Sequence, residues 1–344
     1  MTAQTPKGNT QLIMPLSIPS PEWSFFDLGP FRVHAYALCI VAGIIAATIM
    51  TSRRLTKRGA EPGIVLDIIL WAVPLGIIGA RIYHVLTHPG DYFYDGADLL
   101  RTLYIWEGGN AIFGSLLGGG IGAFIGCRMA GIRFWSFVDA VAPGMLVAQA
   151  MGRLGNWFNH ELFGLPTTLP WGLEIAPDNP AFPVGLPVGT LFHPTFLYEM
   201  IWNLIGVAVI LFLERKINLR WGKAFAVYLI WYGIGRSFFE SIRVDPSEIF
   251  LAIRTNVWAS FAAILVGLLI IIIQRREHAG LELSPYVPGR AWKGTDPEVE
   301  SDETDLESED HGDGADKSSA DKLGADEPSE SGEVAATSTS DPRP

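Results

Sequence analysis

The sequence predicts an all-α, polytopic integral membrane protein with seven transmembrane helices, its N-terminus outside and its C-terminus in the cytoplasm. Three observations carry this. Apolar runs of about 20 residues recur along the chain, the length a helix needs to cross a bilayer core of about 30 Å. Hydrophobic residues make up 49% of the 344 and charged residues only 18%, an apolar-rich balance for a soluble protein of this size. Basic residues crowd alternate connections between the runs, as the positive-inside rule requires.

The runs lie at about 34–52, 64–86, 110–127, 135–152, 195–213, 223–241 and 256–273. The fourth has the shortest uninterrupted apolar stretch. Arg53, Arg54, Lys57 and Arg58 follow the first run, Arg128 and Arg133 the third, Arg215, Lys216, Arg220 and Lys223 the fifth, and Arg275 and Arg276 the seventh. Those twelve basic residues face six on the other side: Lys7, Arg32, Arg101, Arg153, Arg243 and Arg254. The richer side is cytoplasmic.

The rest of the chain divides around this membrane domain, residues 25–276. Residues 1–24 form an extracytoplasmic N-terminal segment. They have proline breaks and no long apolar stretch after a basic start, so no cleavable signal is expected. Residues 165–194 contain seven prolines, which exclude a regular helix and predict an ordered outer loop. Residues 277–344 are expected to be an acidic, disordered cytoplasmic tail. From Thr295 onward it holds seventeen acidic and three basic residues, a net charge of −14, and the remainder is +3. Such a tail cannot bury enough apolar surface to offset chain entropy. The overall charge of −11 is therefore a property of the tail. Cys39 and Cys127, both in apolar runs, read as small buried hydrophobes. No internal repeat is visible, which weighs slightly against a transporter.

Polar residues at membrane depth are costly and mark function. In "MGRLGNWFNHELFG", residues 151–164, helical spacing puts Arg153, Asn156 and His160 on one face at the outer end of the fourth segment. Arginine suits phosphate because its planar fork donates two parallel hydrogen bonds. In "WYGIGRSFFESIRVDP", residues 231–246, Arg236, Glu240 and Arg243 share a face. Arg236 with Glu240 reads either as a structural ion pair or as a second anion-binding arginine held by its carboxylate. In "HPTFLYE", Pro194 starts the fifth segment, with His193 at its N-cap region and Tyr198 and Glu199 one turn in. His34 and Tyr36 open the first segment. Arg81, His84 and His88 share a face of the second, where interface anchoring is the plain reading. Tyr36, Arg153, Glu161, His193, Arg236 and Glu240 all fall toward the outer face. Together they predict a polar pocket open to the outer leaflet, with an anionic lipid headgroup as its ligand. From these residues alone an enzyme, an anionic-lipid transporter and a lipid-binding scaffold all remain open.

The stretch "GRLGNWFNHELFG" resembles the signature of the phosphatidylglycerol–prolipoprotein diacylglyceryl transferases. The resemblance extends, in the family's order, to "GPFRVHAYAL", "GARIYHV", "WEGGNAIFGSLLGG", "HPTFLYE" and "YGIGRSFFESIRVDP", covering about residues 25–273. It implies a multi-pass enzyme of the bacterial inner membrane. That enzyme moves the diacylglyceryl group of phosphatidylglycerol onto the lipobox cysteine of a prolipoprotein signal peptide, forming a thioether and releasing glycerol phosphate. No metal, cofactor or nucleic acid is implied. By position, Arg153 would bind the lipid phosphate, with Asn156, Glu161 and Gly164 completing that motif. Tyr36 and Arg236 match residues the family needs, and Glu240 matches the ion-pair partner. The expected catalytic set is Arg236, Tyr36, Glu240 and His193. The general base stays open among His193, Tyr36, Glu161, Glu240 and His34. Phe113 stands where many members have a histidine, so a mechanism through that histidine is not expected here.

Overall fold

The computed structural model describes residues 17–29, 31–109, 111–244, 249–251, 253–278, 280, 282–290 and 292. Residues 1–16 of the expected N-terminal segment and residues 295–344 of the expected acidic tail lie outside the described residues. Among those described are seven long helices: α1 (Ala35–Lys57), α2 (Ile64–Thr87), α3 (Ile112–Met129), α4 (Phe134–Phe158), α5 (Thr195–Lys216), α6 (Lys223–Ile242) and α7 (Thr255–Glu277). Six of them, all but α6, are long and apolar enough to cross a membrane. The chain is thus a mostly helical, multi-pass membrane protein. The expected span at 223–241 does form a helix, but it carries Arg236 and Glu240 and does not qualify by apolarity. Leu70, Leu86, Leu117, Phe212 and Leu265 are exposed on the helices. Such apolar surface suits contact with lipid tails.

Helix α4 is the hub. Buried residues make up 56% of its apolar window, against at most 33% for any other span. Helices α1, α5 and α6 pack on it, while α2 pairs with α3 and α6 with α7. The α2–α3 seam follows from sequence spacing. Gly114, Gly118, Gly122 and Gly126 recur every fourth residue and so share one face of α3. A Cβ at Gly114, Gly118 or Gly122 would collide with the carbonyl oxygen of Gly79, Leu75 or Trp71. Bare glycine faces let two helices approach backbone to backbone, where van der Waals contact drives association in lipid.

Short strands finish the ends. β1 (Phe25–Leu28) and β2 (Phe31–His34) form an antiparallel hairpin leading into α1. The proline-rich loop folds as a small sheet of β3 (Pro166–Thr167), β4 (Leu173–Glu174) and β5 (Leu191–Phe192), ordered β3-β5-β4. Its Leu173 and Phe192 are buried with Phe163, Ile175 and Phe196. β6 (Ile249–Phe250) and β7 (Ile253–Arg254) lead into α7.

At its N-terminal end α4 is tied to α1. Arg54 donates to the carbonyl oxygens of Asp139 and Ala140, at 3.1 and 3.0 Å. Residues 282–290 return to the same end, although they fall within the stretch expected to be disordered. Tyr286 is buried beside Ile132, its hydroxyl accepts from the Glu61 amide at 3.0 Å, and the Arg133 amide donates to Pro285 at 2.8 Å. Cys127 is buried and Cys39 half-buried, and both are free thiols.

The α2–α3 seam gives a direct test. Gly118→Ala forces the helices apart and is expected to destabilise the protein by about 1–3 kcal/mol. Gly120, which has nothing within 4 Å of an added Cβ, is the control, and alanine there is expected to be neutral or slightly stabilising. Thermal melting in detergent reads both; equal melting for the two variants would contradict the seam.

Candidate active site

The site starts where α4 stops. The helix ends at Phe158, and the chain then reverses through two left-handed non-glycine residues, His160 (φ 52°) and Leu162 (φ 58°). Such backbone is costly and persists only when surrounding contacts hold it. Here the His160 ring donates to the Pro21 carbonyl at 2.7 Å, Asn179 donates to the His160 carbonyl at 3.0 Å, and the Thr195 hydroxyl donates to the Leu162 carbonyl. His160 is therefore off the helix and not on the Arg153 face, contrary to the helical spacing.

The reversal brings Glu161 back over the last turn. Its amide donates to the Asn156 carbonyl at 3.2 Å, and its Oε1 accepts from Asn156 Nδ2 at 2.8 Å and Asn159 Nδ2 at 3.2 Å. Asn156 Oδ1 in turn accepts from Arg153 at 3.2 Å. A cation on one side and a carboxylate on the other demand the same amide orientation. Arg153 also pairs with Glu199 of α5, Nη2 to Oε2, at 2.7 Å. The result is a chain of contacts running Glu161, Asn156, Arg153, Glu199.

The second cluster comes from α6 and α7. Glu240 is fully buried. Its carboxylate meets Arg236 at 3.0 Å, Arg254 at 3.4 Å and Arg243 at 4.0 Å, and Asn256 Nδ2 donates to it at 3.1 Å. Gly164 stitches this cluster to the loop. Its amide donates to the His193 carbonyl at 2.9 Å, it bridges Arg243, and the Leu165 amide donates to Ile242 at 2.8 Å. An added Cβ on Gly164 would lie 2.8 Å from His193 Cβ and 3.0 Å from the Ile242 oxygen, so only glycine fits without a shift.

The two clusters meet in a cavity of about 360 Å³. Arg153, Arg236 and Arg243 line it together with Glu199, and Gln149, Tyr232 and Phe113 are also on its wall. Three guanidiniums face two carboxylates, Glu199 inside and Glu240 behind, with Arg254 a fourth guanidinium beyond. Among the described residues the lining is thus net positive, which suits an anion. One oxygen of the buried Glu199, Oε1, has no hydrogen-bond partner among the described residues.

Of the residues singled out by sequence, Arg153 and Arg236 line the cavity, while Asn156, Glu161 and Glu240 hold those arginines. Tyr36 and His193 do not line it. Tyr36 packs its ring on the backbone of Gly155. His193 lies in the loop before α5, whose N-cap is Pro194, with Nδ1 3.3 Å from the Tyr198 hydroxyl. His34 is exposed on β2. Arg81 is buried elsewhere and donates to the carbonyl oxygens of Thr102, Gly108 and Gly109, so it organises the α2–α3 connection. Sequence reasoning did not select Glu199, Arg254 or Asn256 for the site. Their partners lie on other elements, so no helical spacing links them. The signal for Glu199 was a carboxylate one turn inside an apolar helix.

Residues 24–273 match the family model described as prolipoprotein diacylglyceryl transferase. A phosphatidylglycerol–prolipoprotein diacylglyceryl transferase of Leifsonia xyli subsp. xyli is 62% identical over 298 residues, covering 84% of this chain and 89% of that protein. Proteins of the same name from Bifidobacterium adolescentis and Streptomyces coelicolor (in the latter, the enzyme numbered 2) are 48% and 43% identical. They cover 77% and 80% of this chain and 82% and 87% of their own lengths.

Removing the carboxylate that gathers the arginines tests the geometry. Glu240→Gln keeps the shape but leaves buried guanidiniums uncompensated. It is expected to cost about 3–5 kcal/mol of stability, seen as a lower melting temperature in detergent. An unchanged melting temperature would show that the pairing is not what neutralises the cluster.

Proposed function

The chain belongs to the prolipoprotein diacylglyceryl transferase family, and we propose that it carries out that family's reaction in the arginine-lined cavity. The enzyme transfers a diacylglyceryl group from phosphatidylglycerol to a prolipoprotein. The single observation behind placing the reaction here is the convergence of Arg153, Arg236 and Arg243 on one cavity with Glu199. The proposed setting is the bacterial inner membrane, with α6 as a seventh span and the cavity toward the outer leaflet. The acidic tail would then be cytoplasmic, as the distribution of basic residues indicates.

The acceptor is the thiol of a lipobox cysteine. A sulfur–carbon bond forms at the glyceryl carbon that carries the phosphoester. The carbon–oxygen bond breaks, its electron pair stays on the phosphate oxygen, and glycerol phosphate leaves. The charge that develops on that oxygen needs donors already in place, since preorganised charge in a dry site costs no reorganisation at the moment of reaction. Arg153 is held from two sides by Asn156 and Glu199, so it is placed to bind the phosphate. Arg236, held by Glu240, adds the second guanidinium.

The same field favours the thiolate. A free thiol has a pKa of about 8.5 and is mostly protonated at neutral pH, yet the thiolate is the nucleophile. Glu240 is a poor acceptor for the thiol proton, because cations and an amide donor surround it. Glu161 is occupied by two amide donors. Phe113, on the cavity wall, cannot accept a proton. Glu199 also pairs with an arginine, but through Oε2 alone, whereas both Glu240 oxygens lie beside guanidiniums. Glu199 Oε1 is buried beside the cavity without a hydrogen-bond partner among the described residues, and we assign it this role. Tyr36 and His193 then act by position: Tyr36 buttresses Gly155, and the His193 carbonyl anchors Gly164.

The experiment uses proteoliposomes containing phosphatidylglycerol and a lipobox peptide, and reads glycerol phosphate release together with the peptide's mass gain. Arg153→Ala is expected to lower both by at least about 10²–10³-fold. Glu199→Gln is expected to lower the rate about 10²–10⁴-fold, with partial recovery as rising pH supplies thiolate directly. Activity retained by Arg153→Ala would remove it from phosphate binding. An unchanged rate in Glu199→Gln would remove Glu199 as the proton acceptor.

A further inference from the structure

A second charged cavity, of about 830 Å³, lies at the opposite end of the bundle, between the C-terminal ends of α1 and α5 and the connection that follows α5. It is remote from the active site. Arg54 bonds Ala140 of α4, and Arg153 lies thirteen residues further along the same helix, about 20 Å at 1.5 Å per residue.

Six basic residues and one carboxylate line this cavity. Two of the six are committed to the protein. Glu214 pairs with Arg54 at 2.7 Å and with Arg58 at 2.6 Å. Arg54 spends its other donors on Asp139 and Ala140, and Arg58 donates to the Ser136 carbonyl at 3.3 Å. These two form the back wall. Arg53, Lys57, Arg215 and Arg220 complete the lining, and none of them forms an ion pair with a carboxylate among the described residues. Arg220 is half-buried, and its pKa is pushed below the ordinary arginine value by burial and by the neighbouring Arg58. A guanidinium does not give up its proton in a protein, so the cavity keeps positive charge that the protein leaves unmatched.

Asymmetry of basic residues across a membrane explains why cations gather at this end. It does not explain why they surround one cavity whose remaining wall is apolar. That wall is Ala46, Ile49, Met50 and Leu211. Along α1 it lies N-terminal to Arg53 and along α5 N-terminal to Glu214, which places it deeper in the span than the charges. Cations at the rim and an apolar wall beneath match the two halves of a phospholipid, and basic pockets between membrane helices hold anionic headgroups.

We propose that this cavity binds an anionic phospholipid of the leaflet opposite the active site. The phosphate lies among Arg53, Lys57, Arg215 and Arg220, and an acyl chain runs along Ile49, Met50 and Leu211. Bound there, the lipid would bridge α1, α5 and the turn into α6, the elements that carry Tyr36, Glu199 and Arg236. No chemistry takes place at this site.

The test is native mass spectrometry of the full chain in a zwitterionic detergent, titrated with phosphatidylglycerol or with phosphatidylcholine. Wild type is expected to retain a second phosphatidylglycerol and no phosphatidylcholine. The variant R53Q/K57Q/R215Q/R220Q loses that second lipid at least tenfold in apparent affinity and keeps the first, whereas Arg153→Ala loses the first and keeps the second. The charge-preserving variant R53K/R215K/R220K keeps both. The glutamine changes are at or near the surface, so melting in the lipid-free detergent is expected to match wild type, which reports folding. Equal lipid retention by the quadruple variant would overturn the proposal. Displacement of the second lipid by inorganic phosphate at the same concentration would also overturn it, showing a free-anion site. Retention seen only after deletion of residues 295–344 would overturn it too, and would identify that acidic segment as the occupant.

Discussion

Arginine keeps its proton, so every guanidinium drawn into a helical bundle must be met by fixed acceptors. That constraint organises the charged clusters around the first cavity. Glu199 meets Arg153 from α5, and Glu240 gathers Arg236, Arg243 and Arg254 where α6 meets α7. Each carboxylate sits on a helix other than at least one of its partners, so the helices must dock before the charges are neutralised. The close seams, such as the glycine face of α3 against α2, supply the docking. The carboxylates then convert a folding liability into a cavity with a small surplus of positive charge.

Much of this was legible in the sequence. Helix lengths, the connections and the alternation of charge followed from apolar run length and from where the lysines and arginines fall. The grouping of Arg236, Glu240 and Arg243 followed from helical spacing, because all three sit on or at the end of one helix. Other features were not legible, for definite reasons. The turn after Phe158 uses left-handed backbone at His160 and Leu162, conformations that side-chain pattern does not announce, so His160 looked like a member of the Arg153 face. Glu199, Arg254 and Asn256 belong to the site through contacts across helices. Helix α6 carries Arg236 and Glu240 and does not qualify as a span by apolarity. Residues 282–290 pack through Tyr286 and backbone hydrogen bonds, a fit that average composition hides.

The two ends of the bundle use the same chemistry for different ends. Toward the C-terminus of α4, four guanidiniums and two carboxylates, among the described residues, surround a cavity of about 360 Å³, and the surplus suits an anion. Toward its N-terminus one carboxylate stands among six cations. The first arrangement suits selective stabilisation of developing charge, the second retention of a resident anion. Phe113 bears on the first. Its aromatic ring accepts no proton, and on the proposed reading the Glu199 oxygen that has no hydrogen-bond partner among the described residues takes that part.

The most direct measurement of the central claim is the proximity of the substrate phosphate to Arg153. Solid-state NMR of the protein in phosphatidylglycerol bilayers can read dipolar coupling between the lipid phosphorus and arginine Cζ carbons. A guanidinium that donates two parallel hydrogen bonds to a phosphate brings those nuclei to about 4–5 Å. The account predicts such a coupling in the wild type and its loss, for one lipid population, when Arg153 is replaced by alanine. A coupling spectrum unchanged by that substitution would show that the phosphate binds elsewhere, and would contradict the assignment of this cavity as the reaction site.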